Sequence, residues 1–386
     1  MAGRFPVNLT NAISATFALL SLALFLWQWL AARRFPLHRR VAESSFAPAV
    51  TLLKPLKGSD ETTAGSLQSW FNQNYAGPVQ ILFGVADADD PVCEIARELI
   101  RKNPGRDVQL VICGESLGTN GKISTLIQLE RWSKYELMLI NDADVRVPPD
   151  FLANMVAPLR DDQAGLVNCF YRLANPATLA MRWEAVAINA DFWSQVLQAA
   201  SLKPPEFALG AAVLVRRQAL TQAGDFNSLA NCLADDYQLG RRIAEKGYRI
   251  ALCPVVVECW NAPMNWRDVW RHQLRWARTI RVCQPLPYFF SILSNATLWP
   301  LLWLMVSLIS SATPYPAIAG LGLRIFLAQN LQRRFTPERR LVSPFWLVPV
   351  KDLLQVALWA GAFLGNKITW RGRQMKLHGD GTLVAQ

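Results

Sequence analysis

Residues 5–32 contain no charged side chain, and their core reads ISATFALLSLALFLWQWLAA. An apolar run of that length matches what a helix needs to span a bilayer. It exceeds the apolar core of a secretory signal and is followed by Arg33, Arg34, His38, Arg39 and Arg40. That basic flank predicts an uncleaved anchor whose C-terminal side faces the cytoplasm. A second uncharged run, 282–323, is long enough to cross twice, with SSATPYP as the turn. A third apolar stretch, 341–364, is interrupted by Lys351 and Asp352, so it spans, lies in the interface or bends back. Two crossings followed by one would put the basic tail on the side opposite the charged middle of the chain. The positive-inside rule therefore argues that 341–364 does not cross fully.

The net charge of +11 raises the question of nucleic acid. The basic clusters sit beside apolar runs, at 33–40, in QRRFTPERR and in NKITWRGRQMK. That placement suits anionic headgroups, and no zinc-finger spacing, RNP-like string or basic zipper occurs. The seven cysteines form no CxxC pair and predict free thiols in a reducing compartment.

Between the apolar ends, residues 47–280 alternate strand and helix signals. Strands are predicted at 49–53, 79–85, 108–113 and 136–142, and helices at 61–73, 89–104 and 122–135. The helix in DDPVCEIARELIRKNP is bounded by Pro91 and Pro104, with acids early and bases late. This order predicts an α/β domain with a mostly parallel sheet, whose ligands gather at the C-terminal strand ends. Lys54, Lys57, Asp87, Asp142 and Asp144 all fall just past predicted strand ends. Neither GxGxxG nor GxxxxGK[ST] follows the first strand, which argues against a Rossmann cofactor or a P-loop nucleotide. With three histidines, two in basic flanks, a Ser–His–Asp hydrolase is poorly supported. Asp142 and Asp144 project to one side of an extended chain, where two carboxylates can hold a hard divalent cation and, through it, a diphosphate. The plain alternative is a polar turn after a buried strand.

Further on, LADDYQLGRRIAEKGYRI opens a helix with Asp235 and Asp236, and NWRDVWRHQLRWARTIR gives an amphipathic helix containing Arg275-Trp276. The order Asp, Asp-x-Asp, Asp-Asp, then xxRW resembles membrane-bound inverting glycosyltransferases of the GT-A fold. Within them the chain most resembles the ceramide glucosyltransferase family, through LLKPLKG at 52–58, DADDP at 87–91, GTNGKI at 118–123, DADVRVPPD at 142–150 and ADDY at 234–237. Bacterial members that glycosylate hopanoids belong to the same resemblance. It departs from the family at His272, where the pattern has Gln or Arg, and at Asp144, which the animal ceramide enzymes lack.

The resemblance implies a UDP-sugar donor, a membrane-lipid acceptor (ceramide-type or hopanoid) and Mg²⁺ or Mn²⁺ held by Asp142 and Asp144. It implies Asp236 as general base; Asp235, which faces differently, reads from its position as a helix-start acid, with a functional role as the alternative. Asp87 is expected near the uridine, Lys54 and Lys57 along the nucleotide pocket, and Lys122, His272 and Arg275 on phosphates or sugar. Trp276 is expected as a flat wall. The expected layout is a membrane anchor at 1–40, a GT-A domain at 41–281, membrane-embedded segments at 282–365 and a basic tail at 366–386. The expected location is a multi-pass membrane protein, of a bacterial inner membrane, with its catalytic domain in the cytoplasm. The competing readings are a processive polysaccharide synthase and a non-catalytic membrane adaptor.

Overall fold

The stretch VTLLKPL forms strand β1, Val50–Leu56, and every one of its residues is buried. Burial on both faces is what a central parallel strand requires. Side chains alternate between two cores. Leu52, with Phe83 and Leu139, packs on Trp70 and Phe71 on one face. Leu53, with Leu82, Met138 and Ile140, packs on Ile123 and Leu126 on the other. The computed structural model describes residues 4–41, 45–370 and 373–385.

The remaining strands are β2 (Val79–Val85), β3 (Asp107–Ile112), β4 (Leu137–Asn141), β5 (Val145–Arg146), β6 (Ala164–Leu173), β7 (Ala212–Arg216) and β8 (Arg249–Cys259). They form one sheet in the order β3-β2-β1-β4-β7-β6-β8-β5. β3, β2, β1 and β4 run parallel, β7 runs antiparallel between β4 and β6, and β8 is again parallel to β6. The sheet is thus mostly parallel, as expected. The in-register pairing brings the C-terminal ends of β1, β2 and β4 to one edge.

Two compact units emerge. The α/β unit comprises Pro36–Asn175, Lys203–Ala262 and Lys367–Gln386; the helical unit comprises Met1–Phe35, Pro176–Leu202 and Pro263–Asn366. The division differs from the contiguous 41–281 domain drawn from the sequence. Residues 176–202 belong with the helices because they bury Met181, Trp183, Ile188 and Trp193, the last stacked at 4.9 Å on Phe335. The tail folds into three antiparallel strands, β9 (Lys367–Trp370), β10 (Arg373–Leu377) and β11 (Leu383–Ala385), and belongs with the α/β unit because Gly381 and Leu383 pair with Leu233 and Asn231.

In the helical unit, helix Arg4–Arg34 turns a stripe of Ala18, Ser21, Phe25, Gln28 and Ala32 inward, at alternating spacings of three and four. Leu9, Leu19, Leu26 and Leu30 point outward and are exposed. Small and polar residues packed inside with leucines outside is the inverse of a soluble helix, and matches one surrounded by lipid. Among the described residues, Leu9–Arg34 is the helix long and apolar enough to cross a membrane alone. The run at 282–323 forms Pro285–Ser294 and Leu298–Ile309, bent by 43° at the break, then Tyr315–Phe335. The pair passes the same criterion only as one broken span, so the expected C-terminal membrane helices are not present as single spans. Asn295 accounts for the break: its side chain accepts from Thr297 and Leu298 N–H and donates to the Asp352 carbonyl. Helix Leu347–Phe363 carries Lys351 and Asp352 fully inside, where they meet Arg324 and Asp191.

Candidate active site

Strands β1 and β4 and the loop after β2 carry polar side chains toward one edge of the sheet. β1 continues three residues past Leu53, so Lys54 lies within the strand, fully buried, and not beyond it. Its ammonium reaches the Asn141 side chain and, at 3.1 Å, the Asp142 carbonyl, and lies 4.8 Å from the Trp70 ring centre. Burial pushes its pKa down to about 7, with Asp142 and Asp144 pulling the other way. Lys57 follows exposed. The next loop is fastened by Asp90, whose carboxylate accepts from Gly58 N–H at 2.9 Å and Val92 N–H at 3.0 Å. Asp87 sits exposed in that loop, accepting from Asp89 N–H at 3.0 Å. Asp90 was not among the predicted site residues; Asp immediately before a proline and a helix is the signal that points to it.

The Asn120 side chain caps helix Gly121–Glu130, accepting from Lys122 and Ile123 N–H. This cap aims Lys122 inward, with Nζ 2.8 Å from Asp142 Oδ1 and 3.3 Å from Asp235 Oδ2. Burial opposes the ammonium, but the carboxylates of Asp142 and Asp235 outweigh it and hold Lys122 protonated well above the ordinary lysine value. Asp235 opens helix Asp235–Glu245, as expected of a helix-start acid, and it also faces Lys122 and approaches Asn120 Nδ2 at 3.5 Å. Asp236 lies beside it, against Gly210, and accepts from Tyr237 N–H at 2.8 Å. Burial raises its pKa to about 6; Asp235 adds to the rise, while Lys122 and the Tyr237 N–H restrain it.

Lys54, Lys122, Asp142, Asp235 and Asp236 are thus brought together from β1, β4 and two helix starts. Asp144 is half-buried on the turn after β4, with its carbonyl bonded to Trp260 N–H at 3.0 Å. Among the described residues no three His, Cys, Asp or Glu side chains converge as a cation cage. By donor chemistry the carboxylates of Asp142 and Asp144 nonetheless suit a hard divalent cation such as Mg²⁺ or Mn²⁺.

His272, Arg275 and Trp276 lie half-buried on helix Trp266–Cys283 in the helical unit. The His272 and Trp276 rings meet at 4.7 Å, tilted by 59°, and Trp276 lies 6.3 Å from Phe192. His272 Nδ1 is 2.7 Å from the buried Glu184 carboxylate, which also accepts from Gln273 Nε2 at 2.8 Å. Glu184 was missed; one acid inside the apolar helix LAMRWEAV is its only trace in the sequence.

Two ceramide glucosyltransferases of Caenorhabditis elegans are similar to this chain. Ceramide glucosyltransferase 3 is 25% identical over 220 residues, covering 57% of this chain and 48% of its own length. The chain thus spans about half of that relative. Ceramide glucosyltransferase 1 is 21% identical over 368 residues, covering 90% of this chain and 76% of its own length. In fold, the chain matches a mannosyltransferase from Pyrobaculum calidifontis, in complex with GDP-Man and Mn²⁺, at 20% identity. The TM-score is 0.55, with 90% of this chain and 99% of that one covered. The sheet described above is therefore of the GT-A glycosyltransferase type. The family model of glycosyl transferase family 21 matches residues 13–383, and the chain belongs to that family.

Proposed function

We propose that the chain transfers a hexose or N-acetylhexosamine from a UDP-sugar to the hydroxyl of a membrane lipid, of the ceramide or hopanoid type, with inversion. The observation that carries this reading is the Lys122–Asp142–Asp235–Asp236 cluster at the C-terminal edge of a GT-A sheet. Relatives named as ceramide glucosyltransferases and a lipid-compatible N-terminal helix support a lipid acceptor.

In this mechanism Asp236 takes the proton from the acceptor hydroxyl as its oxygen attacks the anomeric carbon. The bond to the diphosphate breaks on the opposite side, and UDP departs. A carboxylate lifted to about 6 is ionised at neutral pH yet basic enough to accept that proton. Asp142 and Asp144 would hold the divalent cation, which supplies charge neutralisation on the leaving diphosphate. Lys122 and Lys54 present positive charge to the same edge. Asp87 and Lys57 serve the nucleoside end.

The test is UDP release by the purified protein in lipid micelles. UDP-glucose, UDP-galactose and UDP-N-acetylglucosamine are each paired with ceramide, bacteriohopanetetrol or diacylglycerol. One lipid should be required; release without any lipid, or no UDP binding at all, rejects the reading in favour of a hydrolase or an adaptor. Asp144→Asn should raise the Mn²⁺ concentration for half-maximal rate about tenfold or more, a loss of about 1.4 kcal/mol. Gly210→Ala is a second probe. A Cβ there would stand 2.6 Å from Asp236 Oδ2, so the carboxylate must swing while the backbone stays. The kcat should fall about 10- to 100-fold with an unchanged melting temperature.

A further inference from the structure

We propose that the C-terminal tail is a positioning element for the site, a clasp whose residues 381–383 fix the mutual placement of Lys122, Asp235 and Asp236. The tail turns between β10 and β11 at Gly381, where φ is +86°, a backbone that favours glycine. Asp380 ties the turn by accepting from Thr382 N–H at 3.0 Å and its hydroxyl at 2.6 Å. The outer edge of this turn is then paired to another segment. Gly381 O accepts from Leu233 N–H at 3.1 Å, and Leu383 N–H donates to Asn231 O at 2.8 Å, with Thr382 bridged antiparallel to Cys232. Leu383 is 2% exposed, so this pairing is packed as well as bonded.

Segment 231–233 carries the consequence in two directions. It runs two residues later into Asp235 and Asp236, which open their helix. It also holds the cap that aims Lys122. Asn120 Nδ2 donates to Cys232 O at 2.8 Å, and Asn120 N–H donates to Ala230 O at 2.9 Å. Thr119 completes the junction. Its N–H donates to Asn231 Oδ1 at 3.0 Å, and its hydroxyl lies 3.2 Å from both Asn231 Oδ1 and Leu383 O. One strand of the tail thus touches both loops that deliver charged groups to the cluster. Among the described residues, the tail meets these loops through the backbone of Gly381 and Leu383, so it acts through backbone placement.

The chemical meaning of this clasp rests on the transferase reading, so its test includes a readout that does not depend on turnover. Leu383→Pro removes the N–H given to Asn231, and Thr119→Val removes the hydroxyl given to Leu383 with little change in shape. Amide hydrogen exchange is followed in peptides covering 116–126 and 229–239, with 50–56 and 79–85 as internal references. In Leu383→Pro, exchange in the first two windows should rise about tenfold or more while the reference strands keep their protection. The kcat should fall about tenfold or more with KM for the donor within about twofold. Thr119→Val should show the same pattern at smaller amplitude, and Thr119→Ser should restore it. Unchanged exchange in both loops overturns the clasp. Protection lost equally in the reference strands also overturns it, since the tail would then be a general folding element. A wild-type protein with no transferase activity rejects the proposed function alone, and the exchange result still decides the clasp.

Discussion

Asp236→Asn is expected to abolish transfer, by about 10²- to 10⁴-fold, while the protein itself becomes more stable at neutral pH. Both effects come from one placement. The amide cannot accept the acceptor's proton, yet it fits the space of the carboxylate and keeps an oxygen for the Tyr237 N–H. Stability moves the other way because the folded protein raises this acid from 3.8 to about 6. Between those values the unfolded chain gives up its proton first, so wild-type stability falls as pH rises and the full penalty is present above about 6. At about 1.4 kcal/mol per pH unit, discounted because Asp236 keeps some solvent contact, the variant gains about 2 kcal/mol. Melting curves without divalent cation should separate by a few degrees at pH 7.5 and approach one another toward pH 4. A variant that melts below wild type at pH 7.5 would show that the carboxylate's bonds outweigh its burial. UDP should still bind.

Arg324→Met is expected to destabilise the helical unit by about 3–5 kcal/mol, the largest loss anticipated from one side chain outside the site. The guanidinium donates to both oxygens of Asp352, at 2.8 and 2.7 Å, and to both of Asp191, at 3.0 and 2.9 Å. All three groups are buried, and Lys351 completes a neutral set of two cations and two anions. Methionine fills much of the volume but leaves two buried carboxylates facing one ammonium. The double variant Arg324→Met/Asp352→Leu should recover a substantial part of the loss, because a neutral Lys351–Asp191 pair remains. Detergent-solubilised melting of the two variants checks this. A single variant that melts within about 1 °C of wild type would mean the network contributes nothing net.

The sheet was legible wherever burial is continuous. β2 follows its predicted bounds, and helix Val92–Lys102 sits inside its proline brackets. What escaped was set by contacts far apart in sequence. Lys54 looks like the first residue beyond a strand until Asn141 at the end of β4 and the Asp142 carbonyl just after it are there to receive its ammonium inside the sheet. Asp235 looks like a helix-start acid because local spacing describes only its own helix, whereas Lys122 comes from another helix more than a hundred residues earlier. Lys351 and Asp352 read as interruptions of an apolar run, since their partners, Asp191 and Arg324, lie on separate segments. The motif acids could be located from sequence, but the network that seats them could not.

The tail's membership of the α/β unit also constrains membrane topology by parity. The polypeptide leaves that unit after Ala262 and rejoins it at Lys367, so both ends of the intervening excursion occupy one aqueous compartment. However deeply residues 263–366 enter a bilayer, their complete crossings must sum to an even number, zero included. An arrangement of two full spans followed by a third is therefore forbidden. A reporter fused at position 386 should be protected or exposed together with the loop at 231–233 in every orientation assay.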